Sequence, residues 1–120
     1  MSDTFTTPAR DMHGRLYPEP VKLWEVLVPV AWSTGVAVNQ DHHKQWDARV
    51  RSVAGGLTLL KPVKGQWDSD DGTVHEKMIP VRVACTREQL DQILEFTAYH
   101  YQQADVMAYV VSDRVVFRRG

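Results

Sequence analysis

The sequence predicts a small α+β domain in which an antiparallel sheet carries two helices on one face. Three observations predict it. The chain has 120 residues, enough for one hydrophobic core. Two stretches repeat their apolar residues with helical period and open on a capping residue, whereas the apolar runs around them alternate as strands do. Those elements follow one another as strand, helix, strand, strand, helix, strand. With 43% apolar and 24% charged residues, the composition is that of an ordinary globular domain.

Taken in order, the first 21 residues hold Pro8, Pro18 and Pro20, three of the six prolines, with no regular apolar period. They read as an extended arm (1–21) preceding the domain (22–120). Its tip, Leu16-Tyr17-Pro18-Glu19-Pro20, either docks as a polyproline-like segment or stays disordered. From Leu23 the run LWEVLVPV sets Trp24, Val26, Val28 and Val30 on one face and Leu23, Glu25, Leu27 and Pro29 on the other, which predicts a strand with a buried inner face. Asn39 or Asp41 then caps a helix through Trp46, Val50 and Val53, and Gly55-Gly56 ends it.

The run LTLLKPVKGQW reads as the second strand. A turn at Asp71-Gly72 joins it to TVHEKMIPVRVAC, where Ile79, Val81, Val83 and Cys85 alternate with Met78, Pro80, Arg82 and Ala84. Thr86 and Gln89 have the spacing of a capping box. The helix they open places Leu90, Ile93, Leu94, Thr97, Ala98 and Tyr101 on one stripe. A strand from Val106 to Val111 follows, with Ser112-Asp113 turning it into a short terminal strand through Phe117. This order is the split βαβ arrangement called ferredoxin-like (βαββαβ). Right-handed crossovers put both helices on one sheet face and make the first and third strands central. Pro29 and Pro80 lie in those strands and cannot donate to a ladder, so bulges, strand ends or a frayed register are expected there.

Charge excludes several functions. Fourteen basic and fifteen acidic residues leave a net charge of −1, which gives no global attraction to nucleic acid or membranes. Arg114, Arg118 and Arg119 lack interleaved aromatic platforms, so no nucleic-acid partner is expected. The single cysteine, Cys85, forms no internal disulfide and fits a reducing compartment. No apolar stretch approaches the roughly 20 residues needed to span a bilayer, and the polar start resembles no secretory signal. A cytoplasmic protein is expected.

The helix-free sheet face carries the candidate site. It displays Leu23, Glu25, Leu27, Met78, Pro80 and Arg82, joined by Met107 and Tyr109, a set too apolar for open water. Such a surface marks self-association or a ligand groove. Association through this face into a homodimer or higher oligomer is the plainer expectation. The sharper one makes Glu25 and Arg82 the polar pair of a small-ligand pocket with Met78, Tyr109 and Trp67 around them; a structural ion pair explains the two charges equally well.

Other constellations are weaker. Asp68, Asp70, Asp71 and Glu76 are dense in oxygen ligands, but Gly72 falls too early for a calcium loop, and Asp71-Gly72 is hairpin chemistry. His42 and His43, with Asp47 one turn on, supply too few ligands for a metal site. No metal and no cofactor is therefore expected. His75 and Glu76 are the acid/base candidates, although strand neighbours point to opposite faces. Cys85 reads as a small buried hydrophobe. No nucleophile elbow, P-loop or dinucleotide fingerprint is present. Gln92, Phe96, Tyr99 and Gln103 line the outer face of the second helix, a candidate contact surface.

Three short motifs, Gly55-Gly56-Leu57-Thr58, Gly65-Gln66-Trp67 and Glu76, resemble those of a group of small uncharacterised bacterial and phage-borne proteins of the domain-of-unknown-function type, over about Trp24 to Val111. The resemblance implies a ferredoxin-like fold and sets Trp67 and Glu76 facing each other across the hairpin; it implies no activity. The combined expectation is a non-catalytic, self-associating binding or assembly module with a small-ligand pocket at Glu25, Trp67, Arg82 and Tyr109. The alternative is a small enzyme of the dimeric α/β-barrel style using His75 or Glu76 as acid/base.

Overall fold

The structure, a computed structural model, describes residues 20–118. The arm expected over residues 1–21 lies outside them apart from exposed Pro20 and buried Val21. The chain forms β1 (Lys22–Pro29), α1 (Gln40–Ala54), β2 (Thr58–Leu59), β3 (Val63–Ser69), β4 (Gly72–Cys85), α2 (Arg87–His100) and β5 (Ala108–Ser112). The sheet runs β2-β4-β1-β5 with β3 also pairing β4, every pairing antiparallel. This is the expected ferredoxin-like α+β arrangement, with β1 and β4 central.

Local chemistry sets the helix ends. Asn39 is extended and its side-chain oxygen accepts from the His42 N–H, while Gly55, at φ +90°, donates its N–H to the Arg51 carbonyl. A left-handed C-cap of this kind suits glycine, which has no Cβ to clash. At α2, Thr86 accepts from the Gln89 N–H and the Gln89 side chain accepts from the Thr86 N–H, a complete capping box. The Gln89 amide also donates to the Val53 carbonyl at 3.0 Å, tying the end of α1 to the start of α2.

The core lies between the helices and one sheet face. Val26, Val28, Val81, Val83 and Cys85 from the sheet meet Trp46 and Val50 of α1, Leu90 and Ile93 of α2, and Tyr101, the residue that caps its C-terminus. Trp46 Nε1 donates to Thr97 Oγ1 at 2.8 Å, and that hydroxyl donates to the Ile93 carbonyl at 2.6 Å, so the buried polar atoms between the helices are paired.

Three expectations are corrected. The second strand is interrupted: β2 pairs Thr58 with Arg82, β3 pairs Val63 with Met78, and the register slips by one residue across Leu60, Lys61 and Pro62. Pro62 has no N–H for the ladder, so the strand bulges there. No terminal strand forms through Phe117; residues 113–118 are irregular, and Val116 is exposed. The fifth strand starts at Ala108 rather than Val106, although Leu27 N–H still donates to the Met107 carbonyl at 3.1 Å.

The slip at Pro62 also explains how Pro80 sits inside a central strand. Leu60 N–H donates to the Pro80 carbonyl at 2.9 Å, so the Pro80 backbone faces β2 and β3 rather than β1. A residue's carbonyl and nitrogen point to the same neighbour in an antiparallel ladder. The missing donor therefore falls on the bulge, where no acceptor is in register. Pro29 is the last residue of β1.

Beyond Lys77, β4 pairs with β3 alone. The result is a two-stranded ribbon closed by Asp70-Asp71 and by Gly72 at φ +113°. Its faces differ in chemistry: Val63, Trp67 and Val74 lie on one, Lys64, Gln66, Asp68, His75 and Lys77 on the other.

Candidate functional site

The register that places Pro80 also builds the site. Since the Pro80 backbone faces away from β1, Leu27–Pro80 is a non-hydrogen-bonded pair, and by alternation so is Glu25–Arg82. Side chains of such pairs stand closest, at Cα separations of about 4.5 Å. On the other side of β1, Glu25 pairs with Tyr109, and on the far side of β4, Arg82 pairs with Thr58. Four strands therefore contribute one row, Tyr109–Glu25–Arg82–Thr58, on the face opposite the helices.

Both Glu25 carboxylate oxygens are occupied. Arg82 Nε donates to Oε1 at 3.1 Å, and the Tyr109 hydroxyl donates to Oε2. Glu25 is buried, Arg82 is half-buried and Tyr109 is exposed at the rim. Burying a carboxylate is tolerable when each oxygen has a charged or hydroxyl partner. Leu27, Met78 and Pro80 lie buried beside the row, and Met107, Tyr109 and, on the ribbon, Val63, Trp67 and Val74 are among the exposed apolar residues.

Trp67 does not join the row within one chain. Its partner is Val74, and Arg82 lies eight residue steps along β4 from Val74, about 26 Å at roughly 3.3 Å per residue. All even-numbered positions of β4 nonetheless share a face, so Trp67 and the row belong to one continuous sheet surface. Glu76 pairs with Gly65, not with Trp67, but the indole lies over Gly65: a Cβ there would stand 2.9 Å from Trp67 Cζ2. His75 and Glu76 occupy opposite faces of the ribbon, His75 exposed and Glu76 half-buried.

His42, His43 and His100 pack together where α1 meets the end of α2. His42 and His100 stack at 3.6 Å with rings 9° apart. His43 Nδ1 is 2.7 Å from the buried Tyr101 hydroxyl. Burial holds the His43 pKa below 6.5 against the opposing pull of Asp47, with the nearby His42 and His100 adding to the depression. Burial, then the Asp47 charge, pushes the Tyr101 phenol well above its usual range. A neutral Nδ1 therefore accepts from Tyr101 O–H. Among the described residues no cluster of His, Cys, Asp or Glu has the geometry of a metal site. The acidic turn is a hairpin closure, with Ser69 Oγ donating to the Gly72 carbonyl and Thr73 Oγ1 to Asp68.

Two further readings are settled by packing. Cys85 is fully buried at the end of β4. Phe96 stacks on His100 at 4.9 Å beneath the Arg49 guanidinium, so of the expected aromatic pair on α2 only Tyr99 projects outward. The sequence reading missed Thr58 in the row and Tyr101 as the partner of His43, while His100, one of the three groups that could have joined the pair as a third ligand, stacks on His42 instead. Alternation on β2 would have placed Thr58 only if the break at Pro62 had been recognised.

No protein-family model matches the chain, and no curated protein does. Among solved structures, the fold is similar to CutA from Synechococcus elongatus PCC7942, at 16% identity over 77% of this chain and 75% of that one, with a TM-score of 0.53. The divalent cation tolerance protein CutA1 from Thermus thermophilus matches at 8% identity over 83% and 86%, TM-score 0.57. A phage SAM lyase in complex with S-methyl-5'-thioadenosine matches at 8% identity over 78% and 81%, TM-score 0.61. At these identities the likeness is one of fold. No helix among the described residues is long and apolar enough to cross a membrane.

Proposed function

We propose that the protein is a non-catalytic, self-associating binding module whose small-ligand site is the Tyr109–Glu25–Arg82 row, completed by Trp67 from the ribbon of a second copy. The observation that carries this reading is the ribbon itself. An isolated two-stranded hairpin is marginal in water, and this one has an apolar face with Trp67, Val63 and Val74 half to one-third exposed. That face continues the sheet surface bearing the row. Two copies meeting face to face about a two-fold axis across the strands lay each ribbon over the other's row, which buries the exposed apolar residues and brings Trp67 beside Arg82. The phage lyase with its bound thioadenosine supports the small-ligand half of this reading alone and at the level of fold, since a chain of similar fold holds a small molecule.

Native mass spectrometry of freshly purified protein tests both halves. The expected result is a multiple of the 13.7 kDa chain carrying a small-molecule adduct that Arg82→Met removes, while Trp67→Glu yields monomer. A wild-type monomer at micromolar concentration overturns the assembly, and an adduct indifferent to Arg82→Met overturns the site. The rival reading, an enzyme of the dimeric α/β-barrel style, requires turnover of a metabolite that His75→Ala or Glu76→Gln abolishes.

A further inference from the structure

We infer that the ligand class of this row is an oxyanion, a carboxylate or phosphate group, received by the two terminal amino groups of Arg82 with the Thr58 hydroxyl beside them. The inference deepens the proposed binding role and rests on it only for the choice of site.

The argument starts from how Arg82 is held. A guanidinium paired for structure alone commonly engages a carboxylate side by side through two N–H groups. Here that fork is left open: the Tyr109 hydroxyl donates to Glu25 Oε2, and Arg82 meets the carboxylate through a single contact, Nε to Oε1 at 3.1 Å. Among the described residues, no partner stands at Nη1 or Nη2. The two side chains also differ in access: Arg82 is 41% exposed, Glu25 8%. Glu25 is thus a positioning residue. It anchors the base of the guanidinium from below and leaves the outer edge, with four N–H donors, reachable from the surface.

Such an edge is pre-organised for an anion. The rotamer freedom that an arginine normally loses on binding is already restricted by the Glu25 contact, which lowers the entropic cost of capture. The planar edge matches the spacing of two oxygens on a carboxylate or phosphate. Thr58, exposed and directly opposite Arg82 on β2, adds a hydroxyl donor on the same face. Tyr109, with its hydroxyl turned to Glu25 and 41% of its surface exposed, offers an apolar flank for the rest of such a molecule. A cationic ligand is disfavoured, because the accessible charge of the row is the Arg82 guanidinium, 41% exposed, whereas the Glu25 carboxylate is only 8% exposed.

The test titrates ¹⁵N-labelled full-length protein with inorganic phosphate and, separately, with acetate, each against sodium chloride at matched ionic strength. The reporters are the Arg82 Nε–Hε resonance and the backbone amides of Thr58 and Ala108. The expected result is a saturable shift with at least one of the two anions and none with chloride; the stronger of the two identifies phosphate or carboxylate as the preferred group. Arg82→Lys, which keeps the charge and lacks the fork, is expected to weaken saturation about tenfold, roughly 1.4 kcal/mol of lost binding. Thr58→Val weakens it by a smaller factor. Non-saturating shifts with both anions, or equal saturation in Arg82→Lys, overturn the inference. If neither anion saturates while native mass spectrometry still finds an adduct sensitive to Arg82→Met, the ligand class is wrong and the binding site stands. If an anion saturates on a monomeric protein, the class stands and the assembly falls.

Discussion

His42 and His100 hold each other's backbone. The Nε2 of His42 lies 2.7 Å from the His100 carbonyl oxygen, and the Nε2 of His100 lies 2.7 Å from the His42 carbonyl oxygen. A carbonyl only accepts, so both rings carry their proton on Nε2 and donate it. The two residues are 58 apart in the chain, and the reciprocal bonds clasp the first turn of α1 to the last turn of α2. Trp32 flanks His42 at 4.8 Å, Phe96 flanks His100, and Tyr101 meets both rings edge-on.

Stability is expected to depend on pH through His43, which packs against this clasp. Its folded pKa lies below the ordinary 6.5, so between the two values the unfolded chain binds more protons than the folded one. The linkage then makes unfolding free energy fall as pH drops below about 6.5 and level off beneath the folded value. Urea titrations at pH 7.5, 6.5 and 5.5 check this. His43→Gln should flatten the profile, and an unchanged profile in that variant sinks the assignment.

Thr97 is expected to matter more for its hydroxyl than for its volume. Thr97→Val preserves shape but strands the buried Trp46 N–H, which donates to Thr97 Oγ1; the cost is about 1–3 kcal/mol. Thr97→Ser keeps the hydroxyl and loses one methyl, about 1 kcal/mol. Denaturant midpoints with unchanged m-values give the comparison, and a Ser variant weaker than Val contradicts it.

Glu25 predicts a non-additive series. Arg82→Met with Tyr109→Phe leaves the buried carboxylate without either partner, at a cost of about 3–5 kcal/mol. Adding Glu25→Leu removes the stranded charge, so the triple variant should recover most of that loss. A triple variant no more stable than the double one, by thermal or urea unfolding, would show that the carboxylate is not the source of the penalty.

Gly65 is expected to control Trp67. An added Cβ comes within 2.9 Å of the indole, closer than carbon atoms tolerate, so Gly65→Ala must push the ring off its seat over Gly65 of the same strand. The Trp67 indole N–H resonance should move, and self-association should weaken by about tenfold, roughly 1.4 kcal/mol. Light scattering across a dilution series measures the second effect, and an unshifted indole would refute the contact.

Helices, caps and the inner faces of β1 and β4 were legible along the chain because each depends on spacing within a few residues. The Thr86–Gln89 box, the Gly55 stop and the alternation around Val81 and Val83 are of this kind. The Glu25–Arg82 pair was legible one step further out, since ferredoxin-like connectivity makes their strands neighbours. The break at Pro62 and the irregular tail were not. Pro62 interrupts a run whose apolar pattern looks continuous, and nothing in the pattern reveals that no strand edge accepts Val116 and Phe117.

Sequence alone determined the alternation of strands and helices, the stop of the first helix at Gly55 and the start of the second at Thr86, and which side chains of β1 and β4 share a face, because backbone period and capping act locally. Tertiary structure decided which of those residues meet. Register set Tyr109 and Arg82 on either side of Glu25, the length of β4 beyond β1 carried Trp67 away from them on a ribbon, and the docking of α2 on α1 turned His42 from a candidate ligand into half of a clasp. Each outcome depends on pairing between segments tens of residues apart, where a one-residue shift exchanges the faces of a strand.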